Sequence, residues 1–462
     1  MYHKVVRLGV MPTKRGFLPM DRAKSQKDAF MAVIRSVKPE SVSLTDIDGL
    51  CENGIACQPE CVPAIINRFK EARIDALFLP FCDFGEETVV AAVASALRVP
   101  TLVWGNRDED VNTDDGRGRD TQCGMFAATK VLRRQRVIYS YIFNCETGSE
   151  EFRRGFERFV RVAAIVRDVR GLRIAKIGDR PPPFMSVMSN EGDLLSRFGI
   201  TCVPVSTQAL IEETERLIKQ NGMELRDYHA DLSRRIDLSP TAEDASRRIA
   251  AFTLAARDEI VRLGCTAAAM ECWSGVSRAL AAPVCMALGE LADMGLPVSC
   301  ETDVNGAVTL AILRACLLYE EPGFLADLTV RHPSNDNAEL LWHCGPFPFS
   351  LRSAHTRPRL VNGQERWELK QGNLTLCRFD DADGEYTLFC GEGKTTTGPE
   401  TTGTYVWLEV DDWRLWEEKL MFGPYIHHIG GAYGQYGPVL REAARYLGIH
   451  FDEPGAPGPR CL

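Results

Sequence analysis

The sequence is short of positive charge. Its 54 lysines and arginines are outnumbered by 63 aspartates and glutamates, giving a formal net charge of −9, whereas a nucleic-acid binder needs a concentrated basic excess. Long apolar runs are missing too. The N-terminal MYHKVVRLGVMPTKRG holds too short an apolar stretch for a secretory signal, and the most apolar helical stretch is broken by Arg314. The expectation is a cytoplasmic protein with no membrane partner. No low-complexity block or repeat of solenoid length stands out. Gly-rich fragments such as GGAYGQYG at 430–437 do not follow a strand with phosphate-loop spacing, so no nucleotide cofactor site is assigned. Cysteine, by contrast, is plentiful at 16 residues. The densest group, Cys51, Cys57 and Cys61, has no fourth ligand nearby, so it reads as reduced thiols in a loop rather than a zinc site or a disulfide framework.

What is present is ordinary globular material, 45% hydrophobic and 25% charged over 462 residues, long enough for two or three cores. From residue 4 to about 165, the β-branched runs VVRLGV, SVSLTDI, ALFLPF, TLVWG and YSYIF alternate with helical patterns near 24–38, 63–73, 86–97, 123–134 and 149–165. That alternation specifies a parallel sheet covered by helices on both faces. A second alternating block runs from LRIAKIGDR at 172–180 through ITCVPV, a helical region at 241–263, TAAAMECW and PVSCETD. Beyond about 325 the texture changes, with five of the seven tryptophans past residue 340 among Gly, Thr and β-formers. The fold class expected is α/β: two doubly wound α/β domains, 1–168 and 169–325, followed by a β-rich C-terminal domain, 326–462.

Ligands collect at the carboxyl ends of strands in such sheets, and three segments carry suitable chemistry. In CETDVNG at 300–306, strand alternation would point Glu301 and Asp303 to the same side. Two converging buried carboxylates call for a cation between them; a helix cap explains Asp303 equally well. In AMECWSG at 269–275, Glu271 ends an apolar strand, where a surface carboxylate is the plainer explanation. In YIHHIGG at 425–431, adjacent histidines cannot both face one pocket in an extended segment, so at most one of His427 and His428 is a ligand. Together Glu271, Asp303 and one of these histidines would supply two carboxylates and an imidazole. That set suits Mn²⁺ or Mg²⁺ and leaves positions open for neighbouring sugar oxygens. His343 and His355 could line the same cleft or sit in ordinary β structure.

The chain resembles the L-fucose/L-arabinose isomerase family. The resemblance is carried by PTKR near the start, LFLPFCDFGEE, VWGNRDED, the RDTQCG run, SVMSNEGDLLSRFGI, CETDVNGAVT and the His-His pair. It implies an aldose-ketose isomerase with a catalytic Mn²⁺ held by Glu271, Asp303 and His428, the two carboxylates also moving the proton between C1 and C2. Lys14, Arg15, Arg107, Gln122, Trp273 and Asn305 would bind the sugar. Homo-hexamers with sites completed by a neighbouring subunit are the implied assembly. A fucose- or arabinose-type sugar is the first expectation. Sulfoquinovose isomerases resemble the same family, so a sulfonated aldose, which would need paired basic groups, is the second; a non-catalytic sugar-binding relative is the third.

Overall fold

The computed structural model describes residues 5–108, 119–382 and 384–456. It forms two compact units, one ending at Arg167 and the other beginning at Asp168. Glu109 and Asp110, the last two residues of the VWGNRDED stretch, lie outside the described residues.

In the first unit, β1 (Val6–Val10), β2 (Val42–Thr45), β3 (Ala76–Phe81), β4 (Thr101–Gly105) and β5 (Tyr139–Tyr141) form a parallel sheet in the order β2-β1-β3-β4-β5. Every residue of β3 and β4 is buried, the pattern of central strands covered on both faces. That is why ALFLPF and TLVWG read as unbroken apolar runs.

The second unit begins with another parallel sheet. β6 (Arg173–Ile177), β7 (Thr201–Val205), β8 (Ala267–Met270) and β9 (Val298–Ser299) run in the order β7-β6-β8-β9. The β-rich portion follows as β10 (Phe324–Arg331), β11 (Ala338–His343), β12 (Arg359–Val361), β13 (Gln364–Glu368), β14 (Asn373–Ala382), β15 (Glu385–Thr396), β16 (Thr404–Glu409), β17 (His428–Tyr433) and β18 (His450–Asp452). Its order is β12-β13-β16-β11-β10-β17-β14-β15-β18, and an additional β15–β16 pairing closes the six middle strands into a barrel, which removes their free edges. Two α/β sheets followed by a β-rich portion is the fold class expected from the sequence.

The helix Val304–Cys316 joins the two halves of this unit. All of its residues are buried, as befits a helix that is apolar all round, and it packs against β8, β9, β14 and β17. Gly430 lets β17 approach it, since a Cβ there would sit 2.6 Å from the Thr309 Cγ2 methyl. CETDVNG is the connection that leads from β9 into this helix.

Candidate active site

The turn is not the extended segment that strand alternation implies. β9 stops at Ser299, and Glu301 and Thr302 both take left-handed backbone, with φ of 52° and 54°, a strained conformation for non-glycine residues. The expectation that Glu301 and Asp303 face the same way therefore fails. Asp303 is the N-cap of the helix Val304–Cys316, its Oδ1 accepting from the Gly306 N–H at 2.8 Å. Its remaining acceptor capacity goes to Arg378, which donates from Nη1 to Oδ2 at 2.5 Å and from Nη2 to Oδ1 at 3.1 Å, and to His428 Nδ1, 2.8 Å from Oδ2. Burial opposes its charge, but Arg378 and His428 hold the carboxyl well below the usual range. With 0% exposure and both oxygens engaged, Asp303 cannot reach a sugar to exchange a proton.

Glu301 points elsewhere. Its Oε1 accepts weakly from Cys272 Sγ at 3.4 Å, and its Oε2 lies 3.6 Å from His428 Nε2 and 3.9 Å from His343 Nε2. Asp327 Oδ1 completes the cluster, 3.5 Å from His428 Nε2 and 3.9 Å from His343 Nε2. The strands make this convergence. Antiparallel pairing of β10 with β17 sets Asp327 directly opposite His428, so their side chains share a face. His343 ends the neighbouring β11, and the turn after β9 brings in Glu301.

Burial pushes the Glu301 carboxyl up to about 8, with the two histidines pulling the other way. His343 is raised to about 9: burial works against its charge, and Cys344, Asp327 and Glu301 outweigh it. Glu301 Oε2, Asp327 Oδ1 and His343 Nε2 are buried and have no hydrogen-bond partner among the described residues. Stranded polar atoms of this kind are costly unless something fills the space between them. A divalent cation would satisfy them together, since ligand bonds of about 2.0–2.2 Å set neighbouring ligand atoms a little over 3 Å apart. Glu301, His343 and His428 make one group able to hold an ion; Asp327, His427 and His428 make another, and Cys272, Cys300 and Glu301 a third.

Of the site residues expected from sequence, only His428 supplies a facing atom to the four-atom cluster. Glu271 ends β8, but its carboxylate lies against Gly178 and Gly275 and belongs to none of these groups. His427 is half-exposed, its ring stacked on Phe184 at 5.6 Å, while His428 meets the same ring edge-on at 5.3 Å. Asn305 is buried, its Nδ2 donating to Asp380 and Asp381, while its Oδ1 has no hydrogen-bond partner among the described residues. Trp273 is 54% exposed. In the first unit, Lys14 is buried and donates to the Arg15 and Gly16 carbonyls. Arg15 pairs with Glu86 and Glu87 over the Phe84 ring; Arg107 and Gln122 are exposed. Missed from sequence were Asp327 and the pairing of His343 with Glu301. The only available signal was an acidic residue in an otherwise apolar strand start, FLAD.

Comparison with known proteins bears on the family. Residues 9–170 match the family described as "Fucose/sulfoquinovose isomerase, N-terminal domain", and residues 361–453 match "L-fucose isomerase, C-terminal domain". The chain belongs to the fucose isomerase-like family. A sulfoquinovose isomerase of Priestia aryabhattai is 25% identical over 425 residues, covering 88% of this chain and 93% of that protein. One from Alkalicoccus urumqiensis is 26% identical over 336 residues, 71% of this chain and 73% of its own length. Like its relatives, this member of the fucose isomerase-like family is an aldose-ketose sugar isomerase. Among its described residues no helix is long and apolar enough to cross a membrane.

Proposed function

We propose that the chain is a divalent-metal-dependent isomerase of a sulfonated aldose of the sulfoquinovose type. The observation that carries the metal reading is the convergence of Glu301 Oε2, Asp327 Oδ1, His343 Nε2 and His428 Nε2, three of them without hydrogen-bond partners among the described residues. Two carboxylates and two imidazoles fit Mn²⁺ better than a thiolate-rich structural zinc site. When bound, such an ion supplies Lewis-acid stabilisation of charge on neighbouring sugar oxygens. The conversion balances when a proton leaves C2 and is returned at C1, while the O2 proton passes to O1. Glu301 and Asp327 are the carboxylates open to the cluster, and so take the roles of base and acid that the sequence suggested for Glu271 and Asp303. Phe184, stacked on His427 and set edge-on to His428, offers an aromatic face to the sugar's C–H side and helps exclude water.

The sulfonate part is supported by the relatives' names and by the N-terminal family description. Arg15, Arg107 and Gln122 are the candidates for the anionic end, supplied in a homo-hexamer by a neighbouring subunit. A neutral sugar such as L-fucose is the second reading, favoured by the C-terminal family description. The test is turnover of sulfoquinovose, L-fucose, D-arabinose and L-arabinose by chelator-treated protein with and without added Mn²⁺. Loss of turnover on chelation, recovery with Mn²⁺ and the highest kcat/KM on sulfoquinovose are expected. Full activity without metal contradicts the metal reading; preference for L-fucose selects the neutral sugar, and no turnover of any of the four the non-catalytic relative.

A further inference from the structure

Beside the candidate site two thiols stand almost in contact. Cys285 is the first residue of the helix Cys285–Asp293, and Cys344 follows directly on His343, the last residue of β11. Both are free cysteines, 59 residues apart in sequence, yet their Sγ atoms lie 3.1 Å from one another. A disulfide, at about 2.05 Å, requires the two sulfurs to close by only about 1 Å. The backbone has room to supply that movement. Cys344 lies one residue past the β11–β16 ladder, whose last pair is His343 with Thr404, and Gly345 takes a φ of 131°, a conformation that glycine enters freely. A Cβ added to Gly345 would sit 3.5 Å from the Cys285 Cβ, so the two segments already run side by side. Cys344 is half-buried, within reach of a small oxidant, whereas Cys272 and Cys300, the thiols grouped with Glu301, are each 1% exposed. Cys344 also holds the His343 ring. Its N–H donates to Nδ1 at 2.9 Å, and its Sγ lies 3.2 Å from the same nitrogen; the opposite nitrogen, Nε2, faces Glu301 and Asp327 at 3.9 Å each.

We propose that Cys285 and Cys344 form a redox-responsive dithiol: an oxidant of the peroxide class joins them in a disulfide that pulls Cys344 off the His343 ring and switches the isomerase off until a thiol reductant reopens it. This rests on His343 belonging to the active site, as the proposed function has it, and not on which ion the site holds. The chemistry balances with hydrogen peroxide as the only co-reactant. One thiol takes an oxygen from the peroxide to become a sulfenic acid, releasing one water. The second sulfur then attacks the first, forms the S–S bond, loses its proton and expels the oxygen as a second water. The two thiols together give up two electrons, which the peroxide takes up. A dithiol such as dithiothreitol reverses the step by exchange, breaking the protein S–S bond and forming its own. The link draws Cys344 towards the helix Cys285–Asp293, away from the ring that its N–H and Sγ position. Loss of an outer partner of this kind typically costs about 10- to 100-fold in activity.

The test uses the full-length chain, reduced and desalted, as wild type, Cys285→Ser and Cys285→Ala, with folding checked by circular dichroism. Each is treated with hydrogen peroxide at a dose that oxidises the exposed Cys123, then quenched with catalase. One portion is alkylated, digested and mapped by mass spectrometry; the other is given Mn²⁺ and assayed on whichever sugar of the four above it turns over fastest. Wild type should yield a peptide pair joined through Cys285 and Cys344 and lose turnover about 10- to 100-fold, both changes being reversed by dithiothreitol. The Cys285 variants should match wild-type turnover before peroxide and escape the reversible loss after it. Should Cys285→Ser fail to fold, Cys285→Ala, which places no hydroxyl in the buried position, still decides the matter. No Cys285–Cys344 link in treated wild type, a link that leaves turnover unchanged, or an equal reversible loss in a folded Cys285 variant overturns the proposal. Turnover that needs no metal contradicts the metal reading instead and leaves this test intact. A chain active on none of the four sugars contradicts the proposed function, and the peptide map still decides whether the pair joins.

Discussion

Glu301→Gln should make the metal-free protein more stable while destroying its affinity for Mn²⁺. The carboxyl titrates at 4.5 when unperturbed and at about 8 in its buried place. Below pH 4.5 both folded and unfolded chains hold the proton, and no penalty exists. Between 4.5 and 8 the unfolded chain releases a proton that the folded chain retains, so stability falls as pH rises. Above 8 the ionised group is trapped in the fold at a cost of up to about 5 kcal/mol, taking about 1.4 kcal/mol per pH unit. At pH 7 the same arithmetic gives about 3 kcal/mol. Glutamine keeps the shape and an oxygen for Cys272, carries no charge, and removes this slope. The assay is urea unfolding in chelator from pH 5 to 9, comparing wild type with Glu301→Gln. The two stability curves should diverge as pH rises, with the variant ahead by a few kcal/mol at the alkaline end. Adding Mn²⁺ to about 100 times its dissociation constant should then return about 2.7 kcal/mol to wild type and nothing to the variant. Parallel curves across that range would refute the electrostatic reasoning.

Other expectations follow from the same network. Arg378→Met strands Asp303 and Asp380 as buried anions and should cost about 3–5 kcal/mol in chemical denaturation. Asp303 behaves oppositely to Glu301: its folded value lies below its ordinary 3.8, so its contribution is present above that pH and is lost as pH falls towards the folded value. Asp303→Asn should therefore flatten the acid limb of the stability profile, read by denaturant melts between pH 5 and 2. Gly306→Ala should destabilise by about 1–3 kcal/mol, because the added methyl would sit 2.6 Å from Asp303 Oδ2; a thermal melt within error of wild type would show that the cap can yield.

The fold was legible because it rests on local patterns. Unbroken apolar strands such as ALFLPF, alternating with helical segments, leave few alternatives to a parallel sheet, and the change of texture after 325 marked the β-rich portion, though not its closure into a barrel. The site was legible only in part. In CETDVNG the left-handed pair Glu301-Thr302 breaks the strand alternation that would have pointed Glu301 and Asp303 the same way. Glu271 ends β8, and its carboxylate lies against Gly178 and Gly275, a placement that the strand pattern alone does not give. Asp327 and His343, on the paired strands β10 and β11, meet His428 through the pairing of β10 with β17, a long-range contact that spacing along the chain does not encode. Arg378 sits mid-strand in LCRFDD, where nothing local distinguishes it from a surface arginine.

The most direct test of the four-atom site is a crystal structure grown with Mn²⁺, with anomalous scattering recorded at the manganese edge. The predicted result is one strong peak per chain at about 2.0–2.3 Å from Glu301 Oε2, Asp327 Oδ1, His343 Nε2 and His428 Nε2. A peak held instead by Glu271 and Asp303, or no peak in well-ordered crystals, would contradict it.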